Sequence, residues 1–298
     1  MKKVMIYGDS TWAIGRIHKD IEKYLCDEFE FIYYDWSNTY SLNLNEVFES
    51  VDLVVSMYMG QKYFDNYNPL LNKKKCIFIS YGFEEMHITN PSPSSIYGMA
   101  SRSIEHLFPS NLKPFFVPIC VELDNFNHKK HSGSTNVVGW CGAPRVWFKQ
   151  FQWAREIAKQ FGTELQVSSK TQFEDLNDWR PLSADELKVW YSKLDILLIT
   201  SIPNWQSETG PLPAFEAIAS GVVVIGTAVG NFMEVPGPKF ATIEEAVGIL
   251  NDLKQNPEKV KQIAKEQYKC IVNKWNYKVV SEQWKEMFRA ALKNAEST

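Results

Sequence analysis

The stretch ETGPLPAFEAIASGVVVIG, residues 208–226, decides the fold of the second half of the chain. Proline suits the first turn of a helix but not its interior, so Pro211 and Pro213 predict a helix that begins near Pro213. Gly221 predicts the end of that helix, because glycine readily adopts the left-handed conformation that closes many helices. The apolar run VVVIG that follows predicts a buried strand.

The same alternation of apolar runs and helical patterns continues outward in both directions. VMIYG at 4–8 precedes a helical spacing over 13–25, and NVVGWCG at 136–142 precedes one over 146–161. Strand–helix alternation is typical of parallel sheets covered by helices, so we expect an α/β fold of two Rossmann-like domains facing a cleft. The predicted divisions are 1–130, 131–275 and a C-terminal helix at 276–298, with the polar segment 122–136 as the linker. Further predicted strands lie at 29–34, 52–58, 76–82, 114–119, 164–169 and 193–201. The segment 83–113 is predicted to be irregular apart from a short helix at 100–108.

Composition narrows the class of protein. The 298 residues carry a formal net charge of −3, with 45% hydrophobic and 22% charged residues. This length predicts roughly two domains at about 150 residues each. The balanced charge argues against a nucleic-acid partner, which would require a basic face. No apolar run is long enough for a membrane span or a signal peptide, so we expect a cytoplasmic protein.

No metal site or disulfide framework is predicted. The five cysteines are scattered without a C-x-x-C pair. The histidines show no zinc-ligand spacing, and there is no obvious D-x-D pair. The loop GDSTWAIGR at 8–16 does not match G-x-G-x-x-G, so a nicotinamide site is not predicted either.

Glu208 and Glu216 stand on either side of the proline turn. Glu208 is expected in the loop at the carboxyl end of a strand and Glu216 in the first turn of the following helix. Backbone N–H groups of Gly210, Leu212, Ala214 and Phe215 would cluster at the helix N-terminus and attract an anion. Carboxylates accept hydrogen bonds from sugar hydroxyls, so the segment fits a sugar, a diphosphate and a ribose in a row. A helix-stabilising Glu216 with a solvated Glu208 remains the alternative.

This segment resembles the E-x7-E signature of glycosyltransferase family 4, whose members are enzymes of the GT-B fold. The resemblance continues into VVVIGTAVGNFMEV, with Gly230 and Glu234 in place of the family's glycine loop and glutamate. Further similar positions are VPICVELDNF at 117–126, VVGWCG at 137–142 and Trp275. The resemblance covers most of residues 115–298 and is weak over residues 1–114.

The resemblance implies a retaining, metal-independent transferase that moves a hexose from a UDP- or GDP-sugar to an acceptor hydroxyl. It implies that residues 1–130 bind the acceptor, that 131–275 bind the donor, and that the C-terminal helix returns to the first domain. The first glutamate, Glu208, would approach the hexose, Glu216 the ribose, and Arg145 with Lys149 the diphosphate. No cofactor is expected beyond the nucleotide sugar as co-substrate. Other expected donor-binding residues are Thr209, Gly210, Pro211, Leu212, Gly15 and Lys170.

The acceptor side is less defined. The expected residues are Asp9 and Ser10 in the first loop, Tyr81 where the family often has a histidine, and His87. The acceptor would be a glycan, a lipid or a small molecule, and peripheral membrane contact stays open. Trp147 belongs to an aromatic cluster that is either core or an acceptor platform. Two other functions remain open: a non-catalytic nucleotide-sugar or glycan-binding subunit, and a nucleotide-sugar epimerase.

Overall fold

Two all-parallel sheets organise the chain in a computed structural model. The structure describes residues 1–8, 13–35, 44–57, 76–82, 95–169, 182–203 and 208–296. The chain divides into two compact units, one formed by 1–120 with 277–298 and the other by 121–276. The predicted α/β class with two Rossmann-like sheets is confirmed.

The first unit contains a six-stranded sheet. Its strands are β1 (Lys2–Gly8), β2 (Phe29–Asp35), β3 (Leu53–Met57), β4 (Cys76–Ser80), β5 (Ile96–Met99) and β6 (Phe115–Phe116), in the order β2-β1-β3-β4-β5-β6. Val4 of β1 lies beside Phe31 on one side and Leu53 on the other. The helices of this unit are α1 (Ala13–Leu25) and α2 (Leu44–Glu49), with a 3-10 helix at Arg102–Leu107.

The second unit contains a four-stranded sheet. Its strands are β7 (Val138–Cys141), β8 (Leu165–Ser168), β9 (Ile196–Ile199) and β10 (Val223–Gly226), in the order β10-β9-β7-β8. All four residues of β9 and of β10 are buried, as expected for parallel strands covered on both faces. Its helices are α3 (Phe151–Phe161), α4 (Ala184–Tyr191), α5 (Leu212–Ala219), α6 (Ile243–Gln255) and α7 (Pro257–Lys274). Short 3-10 helices lie at Leu123–Asn125, Trp147–Lys149 and Gly230–Glu234.

The last helix, α8 (Tyr277–Glu296), belongs to the first unit. Trp284, Met287 and Phe288 of this helix are buried. Lys285 forms an ion pair with Asp27, and Arg289 pairs with Glu28. Exposed ion pairs contribute at most about 1 kcal/mol each, so the buried apolar side chains hold the helix in place.

A glutamine side chain covers the free edge of β10. Gln267 of α7 is fully buried, and its Nε2 donates to the carbonyl oxygens of Val224 at 2.7 Å and Pro236 at 3.0 Å. Its Oε1 accepts from the Val224 N–H at 2.9 Å. The amide therefore gives Val224 the two hydrogen bonds that a neighbouring strand would otherwise supply.

Five parts of the chain differ from the sequence-based expectations. Strand β5 lies in a segment, 83–113, that was expected to be irregular, and the helix expected at 100–108 is a 3-10 helix. Helix α4 was not predicted. The helix expected over 146–161 is interrupted, because Gln150 adopts the left-handed conformation, with φ of 47°, between the 3-10 turn and α3. The segment 122–136 was expected to be a linker but is part of the second unit. His131 Nε2, for example, lies 2.9 Å from the Asp195 carbonyl oxygen.

Candidate active site

Three loops of the second unit leave the carboxyl ends of neighbouring strands. They follow β7, β9 and β10, and they carry residues 142–150, 200–211 and 227–235. The structure describes the middle loop except for residues 204–207. In parallel sheets ligands bind at this edge, so these loops form the candidate site.

Glu208 lies at the centre of the loop that follows β9. Its side chain is only 5% exposed. Its Oε2 forms an ion pair with the Lys149 ammonium and accepts a hydrogen bond of 2.9 Å from the Ser201 hydroxyl. Within the described ranges no hydrogen bond reaches Glu208 Oε1. One oxygen is therefore fixed, and the other remains as an acceptor.

The position of Lys149 follows from the interrupted helix. Because the 3-10 turn ends at Gln150, the Lys149 carbonyl is released from the helix and accepts from Thr200 Oγ1 at 2.8 Å. The same hydroxyl accepts from Trp140 Nε1 at 3.0 Å, and the Ile202 N–H donates to the Phe148 carbonyl at 2.8 Å. These bonds join the loop after β7 to the loop after β9, with the Lys149 ammonium at Glu208.

Gly230 packs directly against the backbone of Glu208. Its φ is +42°, and a Cβ at this position would lie 2.2 Å from the Thr209 carbonyl oxygen and 2.4 Å from that of Glu208. The next residue, Asn231, donates its N–H to the Thr209 oxygen at 2.7 Å. Only glycine fits this approach, so the glycine loop after β10 supports the backbone that carries Glu208.

Glu216 has different surroundings. It is the fifth residue of α5, counted from Leu212, and so lies in the second turn, not in the first as expected. The residue is 2% exposed, and its Oε2 accepts from the Tyr191 hydroxyl at 2.8 Å. Burial, with Cys141 and Glu216 nearby, raises the pKa of Tyr191 well above its ordinary value. Tyr191 therefore stays protonated and donates to the carboxylate.

The N-terminus of α5 has no side-chain cap. Pro211 is the N-cap residue, and the first turn contains no acidic side chain. The Ala214 N–H donates to the Pro211 carbonyl at 2.7 Å, so this expected anion donor is already used. Among the described residues, nothing accepts a hydrogen bond from the N–H groups of Gly210 and Leu212. The helix dipole favours an anion at these two groups.

The remaining expected residues are placed as follows. Arg145 is exposed in the turn after β7, and the structure records no contact between it and Lys149 or Glu208.

Gly15 lies buried in α1 of the first unit. Tyr81 is buried, with its hydroxyl 2.7 Å from His18 Nε2. Trp147 is 59% exposed, unlike the buried Phe151 of the same aromatic cluster. Asp9, Ser10, His87 and Lys170 lie outside the described residues.

Sequence reasoning missed Ser201 and Tyr191, which bind the two glutamates. Ser201 is the second residue after β9, and that position near a strand's carboxyl end was the available signal. Tyr191 ends a helix that was not predicted, although Ser183 and Glu186 form a capping box at its start.

The described part of the chain contains neither a candidate metal cluster nor a candidate membrane-spanning helix. No cluster of three or more His, Cys, Asp or Glu side chains there could hold a metal ion. No helix there has the length and apolar character needed to cross a bilayer.

Comparison with known proteins shows a fold similarity. No protein-family model and no curated protein matches the chain. Among solved structures, Anabaena HepE in complex with UDP and glucose matches with a TM-score of 0.70 and 12% identity, over 97% of this chain and 100% of that chain. AviGT4, a glycosyltransferase involved in avilamycin A biosynthesis, matches with a TM-score of 0.61 and 16% identity, over 98% of both chains.

A protein whose name does not describe a glycosyltransferase has a similar fold. The N-terminal domain of Candida albicans trehalose-6-phosphate phosphatase matches with a TM-score of 0.62 and 9% identity, over 97% of this chain and 99% of that chain. At such low identities the similarity concerns the fold alone. The chain therefore has a GT-B-like fold with two parallel sheets, and its activity has to be argued from the site.

Proposed function

We propose that the chain is a glycosyltransferase that moves a sugar from a nucleotide-diphosphate sugar to an acceptor hydroxyl. The observation that carries the proposal is Glu208, which is fixed through one oxygen beside the uncapped N-terminus of α5. The site thus offers a carboxylate to a sugar and positive ends of dipoles to a phosphate. The similarity to the glycosyltransferase AviGT4, and the UDP and glucose bound to HepE, support this function.

Each group of the site has a role in this proposal. Glu208 Oε1 accepts from a hydroxyl of the transferred sugar. The ammonium of Lys149, the guanidinium of Arg145 and the N–H groups of Gly210 and Leu212 bind the diphosphate and stabilise the charge that develops as it leaves. The Glu216 carboxylate accepts hydrogen bonds from the ribose hydroxyls.

The finer features rest on the resemblance to glycosyltransferase family 4. We infer retention of anomeric configuration, transfer of a hexose and independence from metal ions. The donor nucleoside would be uridine or guanosine. A glycan, lipid or small-molecule acceptor would be bound by the first unit, where Tyr81 is the described residue that we expect at the acceptor.

A binding panel tests the donor. UDP, GDP, ADP and CMP and their sugars are added to the folded protein, and the unfolding temperature is measured. A ligand at about 100 times its Kd stabilises a protein by roughly 2.7 kcal/mol, so one base should stand out by several degrees. No shift with any nucleotide would contradict the donor site.

Two substitutions separate the roles of the glutamates. Glu208→Ala should bind the nucleoside diphosphate like the parent protein and lose transfer and donor hydrolysis. Glu216→Ala should weaken nucleotide binding. Glu156→Ala, a change at a partly exposed position of α3, is the matched control and should alter neither.

The outcome also separates the alternatives. Parental turnover by Glu208→Ala would refute the role of Glu208. Nucleotide-sugar binding without any turnover would favour a non-catalytic subunit. Release of an epimerised sugar without an acceptor would favour an epimerase.

A further inference from the structure

We propose that Ser201 is a positioning residue that keeps the Glu208 carboxylate in place when the Lys149 ammonium turns to the donor diphosphate. The inference rests on the proposed function and concerns the same site. It assigns to Ser201 a part in the liganded state that no sequence motif indicates.

The Ser201 hydroxyl is held by a rigid backbone. Ser201 is 3% exposed and is the second residue after β9. Its carbonyl accepts from the hydroxyl of Thr227, which is fully buried, and the Thr227 N–H donates to the Ile199 carbonyl at 2.8 Å. Thr227 of the loop after β10 thus holds the Ser201 backbone, and the Ser201 Oγ lies 2.9 Å from Glu208 Oε2.

Lys149 is fixed differently. Its backbone is held by Thr200, but its side chain is 24% exposed and ends a flexible four-carbon stem. A diphosphate carries more negative charge than one carboxylate and competes for the ammonium. We therefore expect the ammonium to move towards the phosphates once a donor is bound.

That movement would leave a buried carboxylate with fewer donors. Glu208 is only 5% exposed, and an ionised group in such a position is unfavourable without hydrogen bonds. The bond of 2.9 Å from Ser201 stays in place, because only the Lys149 ammonium moves and the Ser201 hydroxyl makes no bond to it. Oε2 remains fixed, and Oε1 remains directed for the sugar hydroxyl, which matters because small displacements of such groups reduce the rate.

The first experiment compares three substitutions of Ser201 in the full chain. Ser201→Ala removes the donor, Ser201→Cys keeps the size with a weak donor, and Ser201→Thr keeps a hydroxyl. We expect Ser201→Ala and Ser201→Cys to reduce the kcat of donor hydrolysis or transfer about 10- to 100-fold. This factor corresponds to the loss of one hydrogen bond to a charged group. Nucleoside diphosphate Kd should change by less than about twofold. Thr should restore most of the rate.

Ser192→Ala is the matched control, because the exposed Ser192 hydroxyl donates only to the Val189 carbonyl. It should leave kcat and Kd unchanged. If Ser201→Ala does not fold, Ser201→Cys carries the comparison.

A double-mutant cycle with Glu208→Gln tests whether Ser201 acts through Glu208. Once the amide replaces the carboxylate, Ser201→Ala should cause little further loss of the residual rate. A merely structural serine would give additive losses, and that result would overturn the proposal. Parental kcat in Ser201→Ala would overturn it as well and leave the proposed function intact. If the parent protein itself neither binds nor turns over any nucleotide sugar, both proposals fail.

Discussion

Glu208 and Glu216 share one sequence motif, yet each has its own kind of partner. Glu208 is paired with a lysine cation and a serine hydroxyl, whereas the Tyr191 phenol donates to Glu216. A cation can be shared with an incoming phosphate, but a neutral phenol cannot be displaced by charge alone. This difference is why we place the moving part of the site at Lys149, the partner of Glu208, and a fixed part at Glu216.

Gly230 offers a sharp test at the residue scale. Gly230→Ala should lower the free energy of unfolding by at least roughly 2 kcal/mol, because it adds a strained φ and a clash with two backbone carbonyls. It should also reduce donor turnover, since relief of the clash displaces Glu208. Urea unfolding and a hydrolysis assay measure the two effects.

Gly248→Ala provides the comparison. Gly248 lies in α6, and nothing stands within 4 Å of its missing Cβ. This change should stabilise the protein by about 0.5–1 kcal/mol, as alanine does in a helix. If Gly230→Ala behaved like Gly248→Ala, the close approach to Glu208 would be disproved.

The residues of the site were predictable to different degrees. Glu208, Lys149 and Gly230 stand in a recognisable motif or beside one, and the structure brings all three together. Ser201 was not predictable, because a serine after a strand is common and only its tertiary contact with Glu208 distinguishes it. Arg145 is exposed, so its predicted contact with the diphosphate stays a prediction.

At the scale of elements, Gln267 shows how one side chain can replace a strand. Gln267→Met keeps the volume but leaves the N–H and carbonyl of Val224 without their buried partner. We expect the free energy of unfolding to fall by about 2–4 kcal/mol, since each unsatisfied group costs about 1–3 kcal/mol. Urea unfolding monitored by circular dichroism measures the change.

The same helix supplies the control for this prediction. Gln262 of α7 is exposed, and its Nε2 donates only to Glu266. Gln262→Met should change stability by less than about 0.5 kcal/mol. Equal effects of the two substitutions would show that the edge of β10 does not need the Gln267 amide.

Elements with a strong apolar pattern were predicted, and those set by tertiary contacts were not. The runs that form β1, β4, β9 and β10 are mostly apolar and were recognised. Strand β5 was missed because it has only four residues, and one of them is Gly98. The close packing that requires this glycine is a tertiary contact, since a Cβ at Gly98 would lie 2.9 Å from Val117. The break at Gln150 was missed too, because the helical spacing runs through it, although it determines where Lys149 lies.

At the scale of the whole molecule, the two units should respond differently to acid. His18 is buried in the first unit beside Tyr81 and Trp284, and burial lowers its pKa from 6.5 to about 4. The unfolded chain therefore takes up the proton first as the pH falls. Neutral His18 contributes about 3 kcal/mol to the free energy of unfolding above pH 6.5. This contribution is lost as the pH falls towards 4.

Hydrogen exchange read by mass spectrometry can locate this loss. After correction for intrinsic rates, peptides from 1–120 and 277–298 should lose protection between pH 6.5 and 4 before peptides from 121–276. His18→Gln should remove that difference, because glutamine does not titrate. His106→Gln, at an exposed position of the same unit, should leave it unchanged. Equal loss of protection in both units of the parent protein would refute the prediction.

The division of the first unit into 1–120 and 277–298 has a consequence for protein synthesis. Strands β1 to β6 leave the ribosome before α8, which contributes the buried side chains of Trp284, Met287 and Phe288. The second unit is continuous in sequence and can complete its core in the meantime. At roughly 5–20 residues per second, the nascent first sheet stays uncovered for on the order of ten seconds. Chaperones that bind exposed apolar strands would therefore meet this chain through its first 120 residues.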